Sequence, residues 1–131
     1  MQWEGKAGDA FFRKDGLNDH LHVVLFEPKQ YPQQGYGKRL CLVRVNITTI
    51  HPEAYFDPTC VVKSGEHPFI KHDSYVLYQK MEIDDWQHIC NCVNSGTYRA
   101  ATPVSADLLI RMQNGIANSG DTPRKFKKQL F

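Results

Sequence analysis

Apolar and polar positions alternate along the first two-thirds of the chain, and the pattern turns helical in the last third. Alternation puts residues two apart on one face of a strand, whereas a stripe near i, i+4 marks one face of a helix. After Gly8-Asp9, the run Ala10-Phe11-Phe12-Arg13 predicts a short first strand. Lys14 to Asp19 contains Asp15-Gly16 and Asn18-Asp19, which is turn chemistry. His20-Leu21-His22-Val23-Val24-Leu25-Phe26 predicts the second strand. Pro28 to Gly37, broken by prolines and glycines, predicts a loop.

Arg39 to Thr49 is the strongest strand signal. Val43, Val45, Ile47 and Thr49 alternate with Leu42, Arg44, Asn46 and Thr48, and the second set turns polar toward the strand's end. One face therefore stays in a core while the other opens to solvent or to a ligand. His51 to Pro58 predicts a loop, Thr59 to Lys63 a short strand, and Ser74 to Tyr78 a strand running on toward Met81 and Ile83. Glu66 to Asp73 is too polar and proline-interrupted for a central strand. Short strands at this spacing predict a small barrel or a strongly bent sheet. In Pro103 to Asn118, Val104, Leu108, Leu109, Met112 and Ile116 form an amphipathic helical stripe, with Ser105 or Thr102 as cap and Asp107 in the first turn. Thr122-Pro123 predicts a second short helix carrying Arg124, Lys125, Lys127 and Lys128. Those cations make either a solvated end or a phosphate-attracting patch.

The length of 131 residues suits a single domain, 1–131. A net charge of +2 neither announces nor excludes a nucleic-acid partner, because local distribution outweighs the sum. No run of 18 apolar residues is present, so no membrane span is expected. The opening Met1-Gln2-Trp3-Glu4-Gly5-Lys6 lacks a signal peptide's apolar stretch, which leads to the expectation of a cytoplasmic protein with reduced cysteines. Cys41 and Cys60 sit in apolar runs and are expected in the core. His88, Cys90 and Cys92 lack the Cys-x(2–4)-Cys spacing of structural zinc sites, and no metal or other cofactor is expected.

The order of segments resembles the MazF/PemK-type toxins of toxin–antitoxin pairs. The likeness rests on Gly8-Asp9 before the first strand, on Asn46-Ile47-Thr48-Thr49 closing the third, and on Phe69 to Leu77 running into Lys80-Met81-Glu82-Ile83. It spans residues 8–84. The resemblance implies a mainly β fold with C-terminal helices: a small SH3-like barrel of about five to seven strands over 8–84, with one or two helices over 103–131. It also implies metal-independent cleavage of single-stranded RNA by a homodimer, neutralised by an antitoxin protein. In that family a basic residue opening the second strand and a threonine ending the third line the site. The threonine matches Thr48, with Thr49 beside it. Where the family carries Arg-Pro, this chain reads His20-Leu21-His22.

Metal-independent RNA cleavage needs a base for the 2′-hydroxyl, an acid for the leaving 5′-oxygen, and donors around the phosphate. His20 and His22, on one strand face, suit the acid and base, and Thr48 suits a phosphate donor. Arg39, Arg44, Asn46, Thr49, His67 and His72 are the candidate substrate contacts. Asp73 either orients His72 or forms a turn with nearby amides. Tyr36, Tyr55 and Phe56 are either base-stacking groups or lids over the core edge. A different class remains open: a non-catalytic SH3-like module that binds protein or nucleic acid.

Overall fold

The computed structural model describes residues 2–15 and 18–129, and they form one mainly antiparallel β structure with three helices. Eight strands are present: β1 Ala10–Asp15, β2 Asn18–Val24, β3 Lys29–Gln30, β4 Leu40–Thr49, β5 Val61–Val62, β6 Ser74–Val76, β7 Glu82–Asp85 and β8 Arg99–Ala101. The helices are α1 Trp86–Asn94, α2 Ala106–Asn118 and α3 Arg124–Gln129. The sheet runs β5-β6-β4-β2-β1-β8, and β3 and β7 also pair with β4.

β4 carries this sheet. Its two edges serve four strands, β2 and β3 as well as β6 and β7. Its odd positions Cys41, Val43, Val45 and Ile47 enter the main core with Leu21 and Val23 of β2 and Leu108, Met112 and Ile116 of α2. Leu42 enters a second core with Phe11, Val24, Ile89 and Val93, so α1 covers the face opposite α2. This is the alternation expected from period-2 patterning.

Ser105 caps α2 by accepting from the Leu108 N–H at 3.1 Å, and Asp107 sits in its first turn. Both follow the predicted capping chemistry. Thr122 does not cap α3, because its buried hydroxyl has no hydrogen-bond partner among the described residues. Gly8 adopts φ +90°, a conformation that favours glycine. Its N–H donates to Val24 O and its carbonyl accepts from Val104 N–H, joining the end of β2 to the approach to α2.

Seven of the eight strands, β1 to β7, lie between Ala10 and Asp85, and β8 adds a further strand beyond the region where strands were expected. β8 and the two-residue β3 lie where no strand signal was read, since their short segments gain order only from pairing with β1 and β4. The first hairpin is also longer than expected: β1 and β2 pair out to Asp15 and Asn18, and the rest of the expected turn, 16–17, lies outside the described residues. The strand expected from Ser74 toward Ile83 is interrupted by a 3-10 turn at Tyr78–Lys80. That turn buries Tyr78, whose hydroxyl donates to Met112 O at 2.7 Å.

α1 was not anticipated from the sequence. Trp86, Ile89, Cys90 and Val93 have helical spacing, and Asp85 caps the first turn by accepting from the His88 N–H. The helix turns Cys90 into the protein while His88 and Cys92 sit one turn apart on its outer side, so the three do not converge.

α2 meets β4's neighbour at Gly115, where an added Cβ would sit 1.9 Å from Tyr78 Oη. Neither the helix nor the buried ring has room to shift. Gly115→Ala is expected to lower stability by about 1–3 kcal/mol through overpacking. Gly120→Ala, with open space around it, is expected within about 0.5 kcal/mol of the parent. Urea unfolding of both variants checks this.

Candidate functional site

The register of β2 on β4 decides which polar groups meet. His22 lies opposite Asn46 and Leu21 opposite Ile47. The pairing with β4 ends there, and His20 and Thr48, the next residues on each strand, line one depression together. On the other edge of β2, β1 sets Phe11 opposite His22 and Arg13 opposite His20. Phe11, Arg13, His20, His22, Asn46 and Thr48 share the sheet face that α1 covers at its apolar end, whereas Leu21 and Ile47 point into the main core. The face is therefore dry at Leu42, Phe11 and Val24 and becomes polar from His22 and Arg44 onward.

Two depressions open at the polar end and share His20. One, of about 370 Å³, is lined by His20, His22, Arg44 and Asn46 together with Arg13, Leu77, Lys80 and Glu82. The other, of about 480 Å³, holds His20, Thr48, Thr49 and His72, with His51, Phe69, Lys71 and Asp19 among its remaining walls. Among the described lining residues, Arg13, Lys71 and Lys80 stand with two carboxylates, Asp19 and Glu82, and four histidines, while Arg44 is paired with Asp84. Asp19 is already paired with Arg99 at 2.7 Å. The arrangement attracts an anion.

His22 and His20 differ in environment although they share a face. His22 is 3% exposed and stacks on Phe11 at 5.2 Å between ring centroids. Its Nδ1 lies 2.9 Å from an Arg44 terminal nitrogen. A guanidinium only donates, so Nδ1 accepts and the ring proton resides on Nε2. Arg44, 5% exposed, completes the chain by donating from Nε to Asp84 Oδ2 at 2.5 Å. His22, Arg44 and Asp84 form a buried brace from β2 across β4 to β7. His20 stays half-buried at the junction of the two depressions.

Arg39 and His67 are not brought to this place. Arg39 sits at the far end of β4, over the Tyr36 ring and 3.5 Å from Asp85. His67 is buried and spends both ring nitrogens on backbone: Nδ1 accepts from Phe69 N–H at 3.0 Å, and Nε2 donates to Thr102 O at 2.6 Å. Asp73 accepts from Ser64 N–H and pairs with Lys63, the turn arrangement rather than a partnership with His72. Backbone hydrogen bonding from Ser64 holds its carboxyl below the usual range. Tyr36 donates to Ile83 O, Tyr55 to Asp121, and Phe56 packs against Tyr75. None of these three aromatics lines either depression.

Arg13, Lys80, Glu82, His51, Lys71 and Phe69 were missed by sequence reasoning. The hairpin register was the available signal for Arg13, since it pairs with His20. The others arrive through loops whose placement depends on tertiary contacts. The loop bearing Phe69 and Lys71 is pinned by Glu66, which accepts from Arg111 of α2 at 2.6 Å, and by the His67 bond to Thr102.

Two outcomes test these supports. Arg44→Met removes one hydrogen bond from His22 and the ion-pair partner of partly exposed Asp84, and is expected to cost about 1–3 kcal/mol in urea unfolding. The Arg111 hydrogen bond holds the Glu66 carboxyl below its ordinary 4.5. A depressed carboxylate contributes stability that is complete above 4.5 and fades as pH falls through the lower folded value. Thermal unfolding scanned across that acidic window is therefore expected to show a smaller pH dependence in Glu66→Gln than in the parent.

No protein-family model, no curated protein and no solved structure matches this chain.

Proposed function

We propose that the protein is a metal-independent endoribonuclease acting on single-stranded RNA, in the manner of the MazF/PemK toxins it resembles. The observation that carries this reading is the position of His20. It lines both depressions and shares the larger of the two with Thr48, Thr49 and His72.

In this reading neutral His20 takes the proton from the 2′-hydroxyl, and the 2′-oxygen attacks phosphorus. The bond to the 5′-oxygen breaks, and the leaving oxygen takes a proton from a second imidazole. The products are a 2′,3′-cyclic phosphate and a 5′-hydroxyl. His72 is the acid, because it lines the same depression as His20 and lies at the surface. His22 acts through Arg44 as a positioning residue, since its Nε2 is buried. Thr48 donates to a phosphate oxygen, with Thr49 and Asn46 beside it, and the positive charge of Arg13, Lys71 and Lys80 balances the negative charge that builds on the phosphate oxygens in the transition state. The wider reading is an SH3-like barrel built around β4, working in the cytoplasm as a homodimer and silenced by an antitoxin laid over the two depressions. No helix among the described residues is long and apolar enough to cross a membrane.

One observation favours a second reading. Of the histidine pair on β2, only His20 reaches the surface, and Arg44 is neutralised by Asp84. A binding module that keeps the cationic surface without turnover fits that arrangement.

Incubation of purified protein with mixed-sequence single-stranded RNA in EDTA separates the two. Cleavage is expected, ending in cyclic phosphate. It should fall about 10²–10⁴-fold in His20→Ala and His72→Ala, and on the order of tenfold in Thr48→Ala. RNA that is bound but left intact would move the assignment to the binding module, and RNA cut equally by all variants would overturn the site.

A further inference from the structure

Phe69 is one of four large apolar side chains left exposed among the described residues, at 43%, and its loop is tied down by hydrogen bonds. Its N–H donates to His67 Nδ1, and His67 is anchored to Thr102 O. The neighbouring Glu66 is clamped by Arg111 through both carboxylate oxygens. The ring itself packs edge-on against Phe12 at 4.4 Å between centroids. Phe12 is capped by the Arg99 guanidinium at 4.7 Å, and Arg99 is held by Asp19. Phe69 is thus a rigid aromatic wall of the 480 Å³ depression, with surface left over that the fold does not use.

The groups around it have mixed chemistry. Lys71, His72, His51 and His20 offer cationic or donor groups for a phosphate, while Asn18 and Asp19 offer amide and carboxylate atoms suited to a base edge. The volume falls in the range of pockets that take small ligands. A purely apolar peptide side chain would leave these polar groups without use.

We infer that Phe69 is the stacking platform of a nucleobase subsite, holding one unpaired base of a nucleic-acid strand beside the phosphate position at His20. This rests on the proposed RNA substrate but concerns binding, not cleavage. The ring needs no rearrangement to accept a base, because His67 and Arg111 have already fixed the loop. His67 and Arg111 are then positioning residues for the subsite. Their placement also gives the C-terminal helical segment a task, since Thr102 and Arg111 hold the wall from outside.

The test uses a labelled 2′-O-methyl RNA hexamer, which has no free 2′-hydroxyl to react. Its affinity is measured by fluorescence anisotropy for the parent, Phe69→Ala and Phe69→Tyr, with a second hexamer carrying abasic sites throughout. Phe69→Ala is expected to weaken the first hexamer roughly 5- to 150-fold, the range of one lost base stack. Phe69→Tyr keeps the ring and should stay within about twofold, while unchanged binding of the abasic hexamer by Phe69→Ala excludes a folding defect as the cause. The abasic hexamer should bind parent and Phe69→Ala alike. Equal loss for both hexamers, no effect of Phe69→Ala, or no binding of either hexamer would overturn the subsite. Phe69-dependent binding by a protein that cuts no RNA would keep the subsite and remove the ribonuclease reading alone.

Discussion

The structure depends on the alternation of a single strand. β4 offers both edges to other strands and both faces to separate cores, so each of its side chains is committed by parity alone. The odd positions close the main core with α2. The even positions begin under α1 at Leu42 and then leave it at Arg44, Asn46 and Thr48. A slip of one residue would exchange these sets and place Arg44 among Val23, Met112 and Ile116, where a guanidinium has no acceptor. Apolar burial on one side and polar spacing on the other therefore enforce the same register.

That register also divides the two histidines. His22 falls where the α1 face is still packed and is used as an acceptor for Arg44, which Asp84 balances. A buried ion pair of this kind gains little net stability, but it holds its members in one geometry. His20 falls two residues toward the open end, where packing has ceased. Its exposure and its place in both depressions are what the proposed reaction uses for proton transfer. The difference comes from the edge of the α1 layer and not from either side chain.

The helical C-terminal segment has a comparable positioning effect. Tyr78, Gly115 and Met112 lock α2 to the sheet at a contact too close for any side chain larger than hydrogen. With α2 fixed, Arg111 and the preceding Thr102 hold the loop that carries Phe69, Lys71 and His72. The walls of the larger depression are therefore supplied by segments far apart in the chain and steadied by one helix.

Much of the fold was legible in the residues. The period-2 run ending in Asn46-Ile47-Thr48-Thr49 identified the central strand and its two unlike faces. The Ser105 cap and the Leu108-Met112-Ile116 stripe identified α2, because capping and burial are local requirements. His20, Thr48, Asn46 and Arg44 were likewise recognisable as one polar face. α1 had a cap and a helical stripe, but the His88, Cys90 and Cys92 spacing drew attention to metal chemistry instead. What tertiary structure alone decided was access: His22 and Arg44 turned inward, His67 became a strut, Arg39 was sent to the far end, and Phe69 was left facing a cavity. Pattern specifies which face a residue occupies. Whether that face is covered depends on where other elements end, and that is set by packing between segments that share no local signal.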